Sequence, residues 1–272
     1  MIAHLENRRC LFVTGEDAKS FLQGIITNDM NALNTEPAVY SCFLTPQGKF
    51  LYDFIVTKID GGFCLEVLTD DAGAFAKRLK VYALRAKVSF EWRDDIKVYV
   101  LWGDQKADTS KAQIFYQDPR LNELGLRMIS NEDITTNATM AEYDTHRVML
   151  GVPDGSRDLK QELSTLYDGN LDQLNAISLK KGCFLGQELT ARIHYRGLVK
   201  KRLMTVTSDT AMQAGFVQNQ DGKMAGEILS VYDDGQKGLA LVKLTHIDDS
   251  LHQEESPADI SVLKPAYLKL PV

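Results

Sequence analysis

Residues 40–44, 50–59 and 63–68 are three apolar runs separated only by Pro46-Gln47-Gly48 and Asp60-Gly61-Gly62. Strand-forming runs joined by turns this short have no room for a crossover, so each folds back on its neighbour in an antiparallel meander. The flanking sequence supplies a cover for it. Residues 11–13 read as a short strand, and Ala18, Phe21, Leu22 and Ile25 recur at i, i+3, i+4 and i+7, which predicts a helix over 16–25 with one stripe against a core. Thr14, three residues ahead of Asp17, resembles a helix-starting box with Asp in place of Glu. Asp70 and Asp71 are placed to cap a second helix that turns Phe75, Leu79 and Tyr82 or Ala83 inward and Lys77, Arg78 and Lys80 to water. Further strands are expected over 87–92 and 96–102, and Asp118-Pro119-Arg120 opens a loop. The fold class is α+β, with a sheet covered by helices on one side.

Residues 154–176 hold few strand formers, and 154–159 mark a surface loop. Beyond Gly197 the pattern changes to short strands over 202–206, 225–231, 238–244 and 259–263, punctuated by Gly215, Asp221-Gly222 and Asp233-Asp234-Gly235. That spacing predicts a small antiparallel β-barrel. The domain reading is residues 1–200 as an α/β region of two subdomains and residues 201–272 as the barrel.

The chain has 272 residues, 44% hydrophobic and 25% charged, enough apolar material for a core and too little charge for disorder. The start of the chain lacks the pattern of a secretory signal, and no apolar run reaches the roughly 18 residues of a membrane span. A cytoplasmic setting is expected, or a mitochondrial matrix one for a processed form. Cys10, Cys42, Cys64 and Cys183 contain no Cys-x-x-Cys pair, which argues against a zinc ribbon and against a self-contained iron-sulfur ligand set. The first three have apolar neighbours and read as small buried hydrophobes. A net charge of −6 argues against general nucleic-acid coating. Lys180, Lys181, Arg192, Arg196, Lys200, Lys201 and Arg202 nevertheless stand against Glu188 alone, a local basic segment on an acidic chain.

Inside that segment lies Lys181-Gly182-Cys183-Phe184-Leu185-Gly186-Gln187-Glu188, continuing to Arg192 and Gly197. Glycines on both sides let another group approach Cys183. If Gln187 starts a helix, its dipole and Lys180, Lys181 and Arg192 favour a thiolate; the alternative is an inert thiol in a turn. Glu188 and Arg192 are spaced for an i, i+4 ion pair, or else fix the loop. His194 with Cys183 is weak evidence for a hydrolase, because no third orienting group is placed. The cations suit a folate polyglutamate tail, an acidic protein or RNA phosphates, with direct nucleic-acid binding ranked last because aromatic platforms are few.

Thr14-Gly15-Glu16-Asp17-Ala18, Phe21-Leu22-Gln23-Gly24, Asp118-Pro119-Arg120-Leu121 with Leu124-Gly125, Arg147 with Gly151-Val152-Pro153, and then the cysteine motif follow in fixed order. Together they resemble the YgfZ family, folate-binding relatives of the glycine-cleavage T-protein aminomethyltransferases. The resemblance runs on to Gly226-Glu227-Ile228 and 238–242, covering nearly the whole chain. Asn170-Leu171-Asp172 and Gly186 to Arg192 are most similar to the branch that includes a mitochondrial iron-sulfur assembly factor and its bacterial counterparts. The resemblance implies a T-protein-like fold around a central folate-sized opening, and a role in making or repairing [4Fe-4S] proteins through Cys183. It implies assembly scaffolds or carriers and client [4Fe-4S] enzymes as partners, and a transient cluster of which Cys183 is one shared ligand. Tetrahydrofolate is the implied cofactor, with Arg147, Lys180 and Arg196 as its contacts. Two departures from the transferases stand out. Of their paired acids only Asp53 remains, as a catalytic acid or as a hydrogen-bonded structural one. Where they carry a pteridine-gripping carboxylate this chain has Met149, which accepts no such bond, so folate should bind more weakly or in another way. The rival readings are a tetrahydrofolate-dependent one-carbon transferase and an accessory protein in tRNA modification.

Overall fold

The meander forms where its turns require it, and it becomes the middle of a larger sheet. The computed structural model describes residues 1–103, 108–253 and 256–270. Strand β1 (Ile2–His4) leads into β2 (Arg8–Thr14) and helix α1 (Ala18–Ile25). β3 (Ala38–Leu44), β4 (Phe50–Ile59) and β5 (Gly62–Leu68) make the meander, followed by α2 (Ala72–Ala83) and β6 (Ser89–Arg93). The resulting sheet has the order β3-β4-β5-β2-β6. β7 (Lys97–Leu101), β8 (Ile114–Gln117) and β9 (Leu126–Ser130) return to β1 in a second sheet, β1-β7-β9-β8.

The two faces of β4 explain why its sequence hardly alternates. Tyr52, Phe54 and Val56 pack with Phe21 and Leu22 of α1 and Phe75 and Leu79 of α2, while Phe50 and Ile55 join a core shared with the second sheet. A strand covered on both faces is apolar throughout. Helices thus cover one side, as expected, and the other is covered by β1, β7, β8 and β9, of which only β7 was legible. Cys10, Cys42 and Cys64 are buried on the inter-sheet side.

Neither the box read from Thr14 and Asp17 nor the cap read from Asp71 forms, for one reason. Asp17 accepts from the backbone N–H of Lys87 (2.8 Å), and Asp71 accepts from Ser156 Oγ (2.7 Å) and Gln161 Nε2 (3.0 Å), so neither side chain caps its helix. A short carboxylate with a tertiary donor in reach is not held by its own helix. The capping box that does form is Thr139 with Glu142, opening α3 (Met140–Met149). Its Thr-x-x-Glu signal was in the sequence and went unread.

Six strands close the barrel: β10 (Lys201–Thr207), β11 (Gly215–Asn219), β12 (Met224–Tyr232), β13 (Lys237–Lys243), β14 (Leu251–Gln253) and β15 (Ser256–Leu263), in the order β10-β13-β12-β11-β14-β15. Two of them escape the sequence pattern: β14 has three residues, and β11 begins at Gly215 and ends in Gln218-Asn219. The barrel is fastened to the rest through the motifs at Gly151 and at Asn170 to Asp172. Thr205 Oγ1 donates to the Val148 carbonyl (2.7 Å) and Tyr267 to that of Gly151 (2.8 Å). Gly151 has φ +73°, and a Cβ there would lie 2.2 Å from Pro265 Cγ, so only glycine fits the joint. Asn170 donates to the Leu203 carbonyl (2.8 Å), and Asp172 holds Arg202 at 2.5 and 3.0 Å.

Candidate functional site

The cysteine motif is an irregular loop pinned at both ends of a two-residue projection. On one side the buried Lys181 Nζ donates to the carbonyls of Gln23 (2.6 Å), Ile26 (2.7 Å) and Asn28 (2.8 Å). Three ammonium donors meet three acceptors at the C-terminal end of α1, where the helix dipole favours a cation. Burial lowers this ammonium to about 8, with Asp29 acting in the opposite direction. On the other side Phe184 is buried in the inter-sheet core, and the Leu185 N–H donates to Gly24 (3.2 Å). Between these anchors Gly182 and Cys183 are exposed. A Cβ at Gly182 would meet nothing within 4 Å, so the fold does not require glycine there.

Gly186 serves the opposite purpose. Its φ is +81°, and a Cβ would fall 2.6 Å from the Thr45 carbonyl; facing it, a Cβ at Gly48 would fall 2.8 Å from the Gly186 carbonyl. The β3–β4 turn and the motif meet glycine to glycine. Helix α4 (Gln187–Arg196) starts there, as the motif predicts, and stops at Gly197 in a left-handed conformation. Thr190 is its one buried residue, held by the Tyr167 hydroxyl, which donates to the Thr190 carbonyl (2.9 Å).

Several expected pairings do not form. Glu188 and Arg192 are both exposed, and among the described residues no ion pair joins them. A gain of a few tenths of a kcal/mol does not order two long surface side chains. Lys181 and Arg202 are internal, so the basic surface is Lys180, Arg192, Arg196, Lys200 and Lys201. His194 packs edge-on against Tyr195 and lines a groove near the far end of α4, about 10 Å along the helix from Gln187. Nothing brings it to Cys183 as a base.

The middle of the molecule holds a buried charge network. Arg127 reaches Glu66 (2.6 Å) and Asp118 (3.0 Å); Arg120 holds Asp118 through two nitrogens; Arg8 pairs with Asp154; and the Tyr116 hydroxyl donates to Glu66 (2.9 Å). Burial by itself raises the Asp118 carboxyl, but Arg120 and Arg127 more than offset it and hold it well below the usual carboxylate range. The sequence sign, unread, was a lone charge inside an apolar strand: Glu66 in β5, Arg127 in β9. The Asp-Pro-Arg motif is thus an internal clamp.

The gap left among these charges is too small for a pteridine, while a pocket of about 390 Å³ opens beside Tyr40 and Asp118. The cavity lined by Arg8, Arg127, Tyr143 and Asp154 is about 10 Å³, against roughly 300–1,000 Å³ for sites that enclose small molecules. Asp53 is buried and accepts from the Tyr40 hydroxyl (2.6 Å). Its second oxygen has no partner, yet it is covered by Gly155, where a Cβ would sit 2.4 Å away. Arg147 is spent on Asp144 (2.7 Å), Asp158 (2.6 Å), the Val152 carbonyl (3.1 Å) and the Tyr232 hydroxyl (2.6 Å). Met149 is 41% exposed at the end of α3, so a carboxylate there would face solvent. Lys180 and Arg196 are also on the surface, away from the central network.

With this geometry in hand, the comparisons agree on a class. The glycine cleavage system aminomethyltransferase T of Bartonella henselae superposes with a TM-score of 0.79 at 16% identity, over 98% of this chain and 86% of that one. The fold is therefore that of the T-proteins, and residues 200–269 match the C-terminal β-barrel domain of CAF17. Within that class, the human mitochondrial iron-sulfur cluster assembly factor IBA57 is 32% identical over 91% of this chain and 79% of its own length. The mouse protein is 29% identical over 94% and 81%. A Neurospora crassa homologue is 32% identical over 75% of this chain, which spans about half of that relative's length. The chain belongs to the IBA57 family of iron-sulfur cluster assembly factors. Among the described residues no helix is long and apolar enough to cross a membrane.

Proposed function

We propose that this chain assists iron-sulfur cluster assembly by presenting Cys183 as one ligand to a cluster that it shares with a partner protein. The observation that carries this is the contrast among its thiols: Cys10, Cys42 and Cys64 are buried, whereas Cys183 is exposed between two buried anchors. Among the described residues no group of three His, Cys, Asp or Glu side chains is placed to hold a metal ion. One thiolate does not hold a cluster, so the remaining ligands come from outside the chain. The cluster is cargo here, and the scaffolds, carriers and [4Fe-4S] clients of the machinery are the partners. The compartment we assign is the cytoplasm, or the mitochondrial matrix for a processed eukaryotic form; the relatives' names say mitochondrial. We route no step through tetrahydrofolate, since Arg147 is engaged by Asp144, Asp158 and Tyr232.

A deletion strain complemented by the gene tests this. Wild type restores the activity of [4Fe-4S] enzymes; Cys183→Ala folds normally and does not. Full complementation by Cys183→Ala would refute the role of the thiol.

A further inference from the structure

We propose that α4 and the grooves on either side of it form the docking surface for an acidic partner segment that carries apolar side chains between its carboxylates. This rests on the reading of Cys183 above and names the surface that brings the partner to it. A groove of about 880 Å³ runs between α4, residues 172–180 and the barrel, and one of about 420 Å³ lies on the other flank. Tyr167, Ile193 and Val199 line both and form the ridge between them. Leu198, just past the end of α4, lines the smaller groove and is 49% exposed, and Tyr195 in the last turn of the helix is 74% exposed, on a helix that buries a single residue.

The charge around α4 is mainly positive, with Glu188 the exposed acid of the helix and Asp168 and the Lys160-paired Glu227 in the smaller groove. Lys180, Arg192, Arg196, Lys200 and Lys201 are all exposed, and no described carboxylate lies within 4 Å of any of them, although the chain as a whole carries −6. On an acidic protein five such cations in one stretch are matched by an outside anion. A free phosphate leaves the apolar ridge and grooves uncovered. An RNA needs stacking platforms, and Tyr195 is the one phenol or indole ring that α4 offers. An acidic amphipathic segment satisfies both halves: carboxylates meet the cations while apolar side chains enter the grooves. Cys183 lines neither groove, but Lys180 lines the larger one and precedes the thiol by three residues, so a segment that runs out of the groove past Lys180 is led toward Cys183.

Fluorescence anisotropy on the full chain tests the proposal with four labelled probes: an amphipathic Glu/Leu peptide, a Glu/Ser peptide, a Lys/Leu peptide of equal length, and polyuridine RNA. The Glu/Leu peptide should bind saturably and lose about tenfold in affinity between low and physiological salt, as surface charge pairing does. Lys200→Glu with Lys201→Glu should weaken it roughly tenfold, and Tyr195→Ser with Leu198→Ser likewise, both at unchanged thermal midpoint. Cys183→Ala should bind as wild type does. Equal binding of the Glu/Ser peptide, tighter binding of the RNA, or no saturable binding of the Glu/Leu peptide would each overturn the proposal. If the peptide fails while Cys183→Ala still abolishes complementation, the docking surface is wrong and the thiol reading stands; peptide binding with a complementing Cys183→Ala is the reverse.

Discussion

At the residue scale the four cysteines divide by surroundings. A hydrogen bond with Cys64, and burial after it, pushes the Cys10 thiol far up; burial pushes up that of Cys42. Alkylation depends on thiolate and on access, and Cys183 alone is exposed. In the native protein iodoacetamide should therefore label Cys183 at least about tenfold faster than the other three, which should react only as the protein opens. Peptide mapping over a time course measures this, and Cys183 labelling slowest would remove the basis of the proposed function. Cys183 and its glycine neighbour were legible because chemistry of this kind is written in local residues. The role of Lys181 was not: it belongs to the basic segment by sequence, and only the fold shows its charge turned inward onto three carbonyls.

At the scale of elements, the motif is a device that joins three of them. Lys181 closes the end of α1, Gly186 meets the β3–β4 turn, and α4 begins immediately afterwards. Lys181→Met keeps the volume and removes all three donors, leaving carbonyls at the end of α1 partly unpaired. We expect a loss of about 2–4 kcal/mol in chemical denaturation, since each buried unpaired polar group costs about 1–3 kcal/mol and water reaches some of them. A loss below about 0.5 kcal/mol would show that solvent replaces the ammonium at no penalty. The same variant should weaken complementation, because the loop that displays Cys183 loses one of its two anchors. Helix positions were legible from their apolar period, whereas their caps were misread: Asp17 and Asp71 are drawn to donors 70 and 85 residues away. No local pattern encodes that competition.

For the whole molecule, the T-protein fold is kept while its centre is occupied by the chain's own charges. The network around Asp118 and its neighbour around Asp144 make stability depend on acid. For Asp144, burial raises the carboxyl, but Arg157 and Arg147 more than offset this and lower it. Both carboxyls are held below their unfolded values, so their contribution is present above about pH 4 and is lost as pH falls through the folded values. The urea midpoint should drop steeply below about pH 4, at about 1.4 kcal/mol per pH unit for each proton taken up on unfolding. An equal midpoint at pH 3 and pH 7 would contradict the charge assignment. By itself the sequence determined the meander, the two framework helices, most of the barrel and the place of the cysteine motif ahead of α4, because each rests on turns, periods or residue types only a few positions apart. The tertiary structure alone decided that ion pairs fill the space around Arg127, that Arg147 and Lys181 are internal ties, and that Lys180, Arg192, Arg196, Lys200 and Lys201 are the surface cations. A charge finds its partner in space: Asp154 lies 146 residues from Arg8, and the carbonyls that hold Lys181 are 153 to 158 residues away along the chain.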